Sequence, residues 1–188
     1  MTTPLPTPRF TDVQTLRERA RQNFDEGAVT DEYRADRDIV LQLLDTAMAT
    51  EIVCALRYKR HYYSAKGLAS RSVAQEFLEH ADEEWEHAGW FAERITQLGG
   101  EPDFSPHTLA ARSHAEYVES DTMVGMIKED LVAERIAIES YKEIIDYLGA
   151  SDPTTRRLFE QVLAVEEEHA EDLHTLIHMI GTTHYAED

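Results

Sequence analysis

The sequence has only one cysteine, Cys54, among its 188 residues. A single thiol excludes an internal disulfide framework, and it excludes zinc or iron–sulfur sites built from several cysteines. Positive charge is also scarce, because 18 Lys and Arg residues stand against 37 Asp and Glu residues and the formal net charge is -19. Nucleic-acid affinity depends largely on neutralising phosphates. This surface is therefore expected to attract cations rather than DNA or RNA.

Long apolar runs are absent as well. A membrane-spanning helix is indicated by about 18 or more consecutive apolar residues, and no run in this sequence approaches that length. The first ten residues, MTTPLPTPRF, lack the apolar segment of a signal peptide. The length and the hydrophobic content of 42% fit one globular domain. We therefore expect a cytoplasmic protein with no membrane partner.

Helical periodicity begins at about Asp38 and continues almost to the end, and no stretch alternates like a strand. Asp152-Pro153 has the sequence of a helix N-cap followed by proline at the first helical position. Four long helices are predicted at residues 37–66, 70–98, 119–149 and 153–181. Residues 1–36 are predicted to be an N-terminal extension able to form a short helix within DVQTLRERARQNF, and residues 182–188 a C-terminal tail.

Four helices of this length pack most simply as a bundle. Short connections make the first and second helices one antiparallel hairpin, and the third and fourth helices another. The link between the second and third helices has about 20 residues, which is unusually long for a compact domain. We therefore predict an all-α four-helix bundle over residues 37–181, with a long crossover between the second and third helices.

Each predicted helix has a glutamate near the middle of its apolar stripe, where spacings of three and four residues define the inward face. Two of the helices add a histidine three residues later, on the same face. The six residues are Glu51, Glu84, His87, Glu134, Glu166 and His169. The first two glutamates are 33 residues apart and the last two 32. Each hairpin should therefore bring its two glutamates level with each other.

The Glu-x-x-His motif is weak by itself, and a third instance, Glu171 with His174, falls off the apolar stripe and is assigned to the solvated face. Buried glutamates can also reach solvent or pair with arginine, but no arginine lies on these stripes. Burying four uncompensated carboxylates would cost many kcal/mol, so the pattern favours a metal site. Carboxylates with one imidazole per ion suit iron or manganese, and four carboxylates balance two divalent ions. A calcium site would not include the histidines.

At these residues the sequence resembles the ferritin-like superfamily, and most closely bacterioferritin and its Dps-like relatives. The resemblance runs from about Asp38 to Ile180 and includes ATEIVCALRY, DEEWEHAGWFAERITQLGGEP, DLVAERIAIESY and AVEEEHAEDL. It implies a di-iron ferroxidase centre inside each four-helix subunit. The cofactors implied are two iron ions per subunit, with manganese as the alternative metal.

The resemblance also implies a role for each site residue. Glu84 and Glu166 would bridge the two ions. The remaining ligands would be divided between the ions, Glu51 with His87 and Glu134 with His169. Tyr58 matches a tyrosine that bacterioferritins keep beside the centre. Tyr141, in the corresponding place after Glu134, and Cys54, three residues after Glu51, are interpreted as core residues.

Two departures from bacterioferritin bear on cofactor and assembly. Haem-binding bacterioferritins have a methionine directly after the first glutamate of the second-helix motif, whereas this sequence has Trp85. We therefore do not expect haem. Only 19 residues follow His169, too few for the fifth helix that helps to build shells of 24 subunits. A homo-oligomeric shell of 12 subunits is favoured, although Dps proteins themselves place the iron site between subunits.

The favoured function is a ferroxidase that oxidises Fe(II) with O2 or H2O2 and stores iron in an oligomeric shell. The storage step is implied by the resemblance. A dimanganese catalase or a peroxidase is the alternative, because the ligands alone do not exclude it. A rubrerythrin would need an iron site built from four cysteines, which a chain with one cysteine cannot form. A non-enzymatic DNA-protecting shell is disfavoured by the net charge of -19.

Overall fold

The computed structural model describes residues 10–22, 24, 27–65 and 71–183, with side chains up to residue 180. All regular structure within these ranges is helical, as predicted. The helices are α1 (Val13–Arg19), α2 (Arg37–Ser64), α3 (Arg71–Gln97), α4 (Leu109–Arg112), α5 (Met123–Leu148) and α6 (Pro153–Thr183). The first predicted turn, at residues 67–69, and residues 184–188 of the predicted tail lie outside the described residues.

The chain divides into two compact units, Met1–Tyr33 and Arg34–Asp188. In the first unit, α1 lies within the segment that was expected to form a short helix. Its N-cap is Asp12, whose carboxylate accepts a hydrogen bond from the backbone N–H of Thr15 at 3.0 Å. The second unit contains the four long helices and the connection between α3 and α5.

The two hairpins of the bundle are antiparallel, and their registers can be followed along their length. In the first hairpin, Lys59 of α2 pairs with Asp82 of α3, and the Nε of Arg37 donates to the Leu98 carbonyl just beyond the end of α3. In the second, the ring of Tyr141 on α5 packs against Phe159 on α6, with ring centroids 5.3 Å apart. The predicted all-α bundle of two helical hairpins is confirmed.

The connection between α3 and α5 runs alongside α2 from one end to the other. It first meets the start of α2, where the Asp103 N–H donates to Asp45 at 3.2 Å. It then passes Thr50, which accepts from the His114 N–H at 3.0 Å, and Arg60, which pairs with Glu119 at 3.5 Å. This path confirms the predicted crossover, and it places the start of α5 near the end of α2.

Two details of this connection differ from the prediction. It contains the one-turn helix α4, which was not predicted, and α5 begins four residues later than residue 119. The later start reflects capping, because the Thr122 hydroxyl accepts a hydrogen bond from the Gly125 N–H at 3.1 Å. An extended residue with a hydroxyl side chain is a favourable N-cap.

The α2 helix is the one described helix long and apolar enough to cross a membrane, but most of its apolar stretch is buried inside the bundle. This burial is typical of the core helix of a globular protein. Apolar layers fill the bundle on both sides of its midpoint. One contains Tyr58, Phe77, Ile127 and Leu173, and the other contains Phe91, Tyr141 and Phe159. The polar residues at the middle are thus enclosed between two apolar layers.

A buried ion pair fastens the start of α6 to α3. Asp152 accepts from the Thr155 N–H at 2.9 Å, as an N-cap does, and its carboxylate lies 3.1 Å from the guanidinium of Arg94. The Asp152→Ala substitution removes the cap and leaves Arg94 without this partner. We expect the free energy of unfolding to fall by about 3 kcal/mol or more, measured by urea denaturation followed by circular dichroism.

The Asp152→Asn variant is the control for this prediction, because its amide oxygen can still cap the helix while its charge is lost. It should fall between the wild type and the alanine variant. Equal stability of the alanine variant and the wild type would show that this contact does not stabilise the bundle.

Candidate metal centre

The six residues singled out in the sequence come together in one buried layer at the middle of the bundle. Each is at most 2% exposed. The α2 helix contributes Glu51, α3 contributes Glu84 and His87, α5 contributes Glu134, and α6 contributes Glu166 and His169. The layer therefore draws on all four long helices, and an isolated hairpin would contain only half of it.

Within this layer, the ligand atoms form two overlapping sets. The first set is Glu51, Glu84, His87 and Glu166, and the second is Glu84, Glu134, Glu166 and His169. The ligand atoms of each set lie within 4.8 Å of one another. Glu84 and Glu166 belong to both sets. This is the arrangement that two neighbouring ions would need if they shared two carboxylates.

Both histidines direct Nδ1 toward the carboxylates. The Nδ1 of His87 lies 3.1 Å from Glu51 and 3.0 Å from Glu166. The Nδ1 of His169 lies 3.5 Å from Glu84 and 3.6 Å from Glu166. Bonds from a first-row divalent ion such as zinc to nitrogen or oxygen are about 2.0–2.2 Å, so two ligands of one ion stand roughly 3–4 Å apart. The spacing of these atoms fits metal ions.

Several polar atoms of the layer are buried and make no hydrogen bond of good geometry with the described residues, although some lie close to an imidazole nitrogen. They are one oxygen of Glu84, one of Glu134, both oxygens of Glu166, and Nδ1 of His169. Buried polar atoms are normally paired, because an unpaired one costs a kilocalorie per mole or more. These atoms belong to the proposed ligands and point into the layer. Metal ions bound there would satisfy them.

Burial and mutual repulsion shape the charges of the metal-free centre. Burial and the neighbouring Glu166 carboxylate raise the pKa of Glu84 well above its ordinary value, and burial does the same for Glu134. Burial also opposes the charged form of Glu166, but the imidazoles of His169 and His87 outweigh it and hold the pKa of Glu166 well below its usual range. Protons on Glu84 and Glu134 therefore supply part of the positive charge that bound cations would otherwise supply.

Two tyrosines donate hydrogen bonds across the bundle to Glu51 and Glu134, the glutamates that belong to only one ligand set each. The Tyr58 hydroxyl on α2 donates to Glu134 on α5, and the Tyr141 hydroxyl on α5 donates to Glu51 on α2. Tyr58 thus lies where the resemblance places a tyrosine beside the centre. Tyr141 lies in the aromatic core as interpreted from the sequence, and it has the additional role of holding a carboxylate.

Other polar residues around the centre were not identified from the sequence. Glu83, which is half exposed, lies 2.7 Å from the outer nitrogen of His169. A carboxylate in this position fixes the orientation of a ligating imidazole and makes it more basic. His80 stacks its ring on His169, with centroids 3.9 Å apart, and burial lowers the pKa of His80 to about 3.

A second buried network lies beside the centre. The guanidinium of Arg57 donates to Asp130 at 2.8 Å, and the Asp130 carboxylate also lies 2.8 Å from Nδ1 of His61. Arg57, which is buried near the centre, thus has a carboxylate of its own as its closest partner. The nearby Cys54 is buried against Ala115 and Ala133, and burial raises the pKa of its thiol well above the ordinary value.

A family model described as the ferritin-like domain matches residues 41–181. The chain belongs to the ferritin-like family. All six residues of the metal centre lie within the matched segment. The helical hairpins and the crossover described above are thus the ferritin-like fold of this chain.

Several proteins resemble this ferritin-like chain. A protein named bacterioferritin from Desulfovibrio desulfuricans is 28% identical over 158 residues, which cover 81% of this chain and 84% of the relative. A protein of Pyrococcus furiosus, named DNA protection during starvation protein, is 33% identical over 71% of this chain and 74% of its own length. A solved structure of the bacterioferritin-related protein from Bacteroides fragilis, described as a dodecameric thioferritin, aligns with a TM-score of 0.78 and 28% identity over 81% of this chain and 92% of that one.

Metal binding to this centre should strengthen as the pH rises. Burial opposes protonation of His87, but the carboxylates of Glu166 and Glu51 outweigh it and raise the pKa of His87 to about 10. The raised pKa values of Glu84 and Glu134 also favour bound protons. A metal ion must displace these protons, so affinity for Mn²⁺ should rise by at least about tenfold per pH unit between pH 5.5 and 7.5.

Calorimetry of Mn²⁺ binding in buffers with different ionisation enthalpies would measure the protons released. Release of one or more protons per ion is expected. Binding that releases no protons and does not depend on pH would contradict this account of the centre.

Proposed function

We propose that this protein is a ferroxidase that binds two Fe(II) ions in the buried layer and oxidises them with O2 or H2O2. The observation that carries the proposal is the pair of overlapping buried ligand sets that share Glu84 and Glu166. The family membership and the resemblance to bacterioferritin support it. Fe(II) is the substrate, and the Fe(III) product is the cargo.

The donor set favours iron or manganese over other metals. Each set has three carboxylates and one imidazole, and hard oxygen donors with a single imidazole suit these ions better than copper or a structural zinc. Two ions held side by side supply two electrons to one oxidant and bind both of its ends. The four carboxylates match the charge of two divalent ions, so the filled centre carries no large net charge.

The side chains of the buried layer would position the ions, and the residues around them would keep water out. Glu84 and Glu166 would be shared between the ions. The terminal ligands would be Glu51 with His87 on one ion and Glu134 with His169 on the other. The hydroxyls of Tyr58 and Tyr141 each donate to one oxygen of a terminal glutamate, and the second oxygen of that glutamate would bind the ion. The apolar layers on both sides keep the centre dry, which strengthens each electrostatic contact.

Iron storage in a homo-oligomeric shell is the second part of the proposal. The Bacteroides fragilis protein that resembles this chain is described as dodecameric, which supports 12 subunits rather than 24. Haem is not part of the proposal, because Trp85 stands where the haem-binding methionine would be and its side chain is half exposed. We propose that both the protein and its substrates are in the cytoplasm.

A dimanganese catalase or peroxidase is the competing enzyme, because the same ligands would bind two manganese ions. Metal analysis of the purified protein and the rates with Fe(II) and with H2O2 alone would separate the two. DNA protection, which the name of the Pyrococcus furiosus relative mentions, receives little support here, because a net charge of -19 repels phosphates.

The Glu84→Ala/Glu166→Ala variant tests the ferroxidase. It should lose the fast phase of Fe(II) oxidation, because both shared carboxylates are removed, and it should keep its helical fold, because buried negative charge is relieved. Stopped-flow absorbance after adding two Fe(II) per subunit would measure the rate, and circular dichroism the fold.

The matched control is Glu79→Ala/Glu168→Ala, which removes one exposed glutamate from each of the same two helices. This control should oxidise Fe(II) at the wild-type rate. If the Glu84/Glu166 variant oxidises Fe(II) at the wild-type rate, the proposed di-iron centre is wrong.

A shell of 12 subunits predicts the mass of the native assembly. Twelve subunits of 21.5 kDa each should appear as one species in light scattering coupled to size exclusion, without the Soret absorbance of haem. A mass of 24 subunits, or a monomer at micromolar concentration, would show that the proposed assembly is wrong.

A further inference from the structure

A separate group of possible metal ligands lies between α3 and α6, outside the layer already described. It consists of Glu76 and His80 on α3 and Asp172 on α6. One ligand atom from each of the three residues lies within 4.8 Å of the other two. None of these residues belongs to the six of the metal centre. We infer that this group is a third divalent-cation site in each subunit.

The buried histidine is the observation that distinguishes this group from an ordinary acidic patch. The side chain of His80 is only 3% exposed. Its Nδ1 lies 3.2 Å from the Tyr58 hydroxyl, on the side of the metal centre. Its Nε2 points to the two carboxylates and has no hydrogen-bond partner among the described residues, because Glu76 lies 3.6 Å away and Asp172 lies 3.9 Å away.

These separations are too long for hydrogen bonds and suit ligands of a common ion. A first-row divalent ion with bonds of about 2.0–2.2 Å would hold its ligand atoms roughly 3–4 Å apart. Glu76 and His80 are four residues apart on α3, so they lie on the same face of that helix. Asp172 completes the set from the neighbouring helix.

The ligand chemistry indicates the class of ion. One imidazole and two carboxylates suit Fe(II), Mn²⁺, Co²⁺ or Zn²⁺, whereas calcium and magnesium prefer sites built only from oxygen. The carboxylates are partly open to solvent, with side-chain exposures of 32% for Glu76 and 46% for Asp172. Water can therefore fill the remaining coordination positions, and ions can exchange with solvent.

The position of the site gives it a route to the buried centre. The ring of His80 stacks on His169 at 3.9 Å, and the Tyr58 hydroxyl contacts both His80 and Glu134. A cation here would be held one histidine ring away from a ligand of the pair. We assign the site the role of holding incoming Fe(II) beside the centre, a role that rests on the proposed ferroxidase, whereas the binding site itself does not.

Binding of Co²⁺ alone to the full chain tests the site, because Co²⁺ fits these ligands and is not oxidised by air in such sites. Equilibrium dialysis with metal analysis should find three Co²⁺ per subunit in the wild type. The Glu76→Gln and Asp172→Asn variants should each bind the third ion about tenfold more weakly or worse, and both substitutions are at partly exposed positions that tolerate the change. Glu79→Gln is the matched control on α3 and should retain three ions.

The Glu84→Ala/Glu166→Ala variant separates this site from the paired centre. It should retain one Co²⁺, and Glu76→Gln added to it should remove that ion. Two Co²⁺ in the wild type with no change in Glu76→Gln and Asp172→Asn would overturn the third site. If the Glu84/Glu166 variant instead binds as much Co²⁺ as the wild type, the paired centre fails, while loss of one ion in Glu76→Gln still supports the third site.

Discussion

Four carboxylates buried side by side at the middle of the bundle are the constraint on which the rest of the structure depends. Among the described residues, the imidazoles of His87 and His169 and the hydroxyls of Tyr58 and Tyr141 oppose their repulsion. Arg57, the buried arginine nearby, is engaged by Asp130. In a dry interior this repulsion is far stronger than in water. The apolar layers on either side hold the helices together, and bound cations would balance the remaining negative charge.

The crossover determines which helices face each other around that charge. Because the connection runs the length of α2, α5 starts where α2 ends, and these two helices lie antiparallel with their lone glutamates opposed. The two helices with a Glu-x-x-His motif, α3 and α6, are then opposed in the same way, as the stack of His80 on His169 shows. A simple up-down-up-down chain would not produce this pairing of like with like.

The sequence was sufficient for the fold and for finding the six clustered residues, because both follow from helical periodicity. An apolar stripe with spacings of three and four defines the inward face, and a glutamate that interrupts it is visible without coordinates. The remaining residues were less visible for physical reasons. Glu83 is half exposed and reaches His169 only because of how α3 and α6 are rotated against each other, a rotation that periodicity does not determine.

The Arg57–Asp130 pair illustrates a second kind of feature that could not be predicted from the sequence. Charged residues are almost never fully buried unless paired. A sequence interpretation therefore assigns Arg57 and Asp130 to the surface, together with the many charges that do face water. Their burial depends on a neighbour 73 positions away in the sequence. The start of α5 was misplaced for a local reason, since the capping hydroxyl of Thr122 ends an extended segment whose polar residues resemble those of an exposed helix.

The carboxylate of Glu83 makes the two halves of the centre unequal. It lies beside the outer nitrogen of His169, whereas the ring of His87 faces Trp90, with centroids 5.1 Å apart. An imidazole that donates to a carboxylate is a stronger electron donor to its metal than one beside an indole. Although the candidate ligands of the two halves are the same in number and kind, an ion bound to His169 would therefore be the more electron-rich of the two. Two ions bound here would be polarised along one direction. The two positions would then fill in sequence, and in the proposed oxidation the two ions would give up their electrons at different potentials.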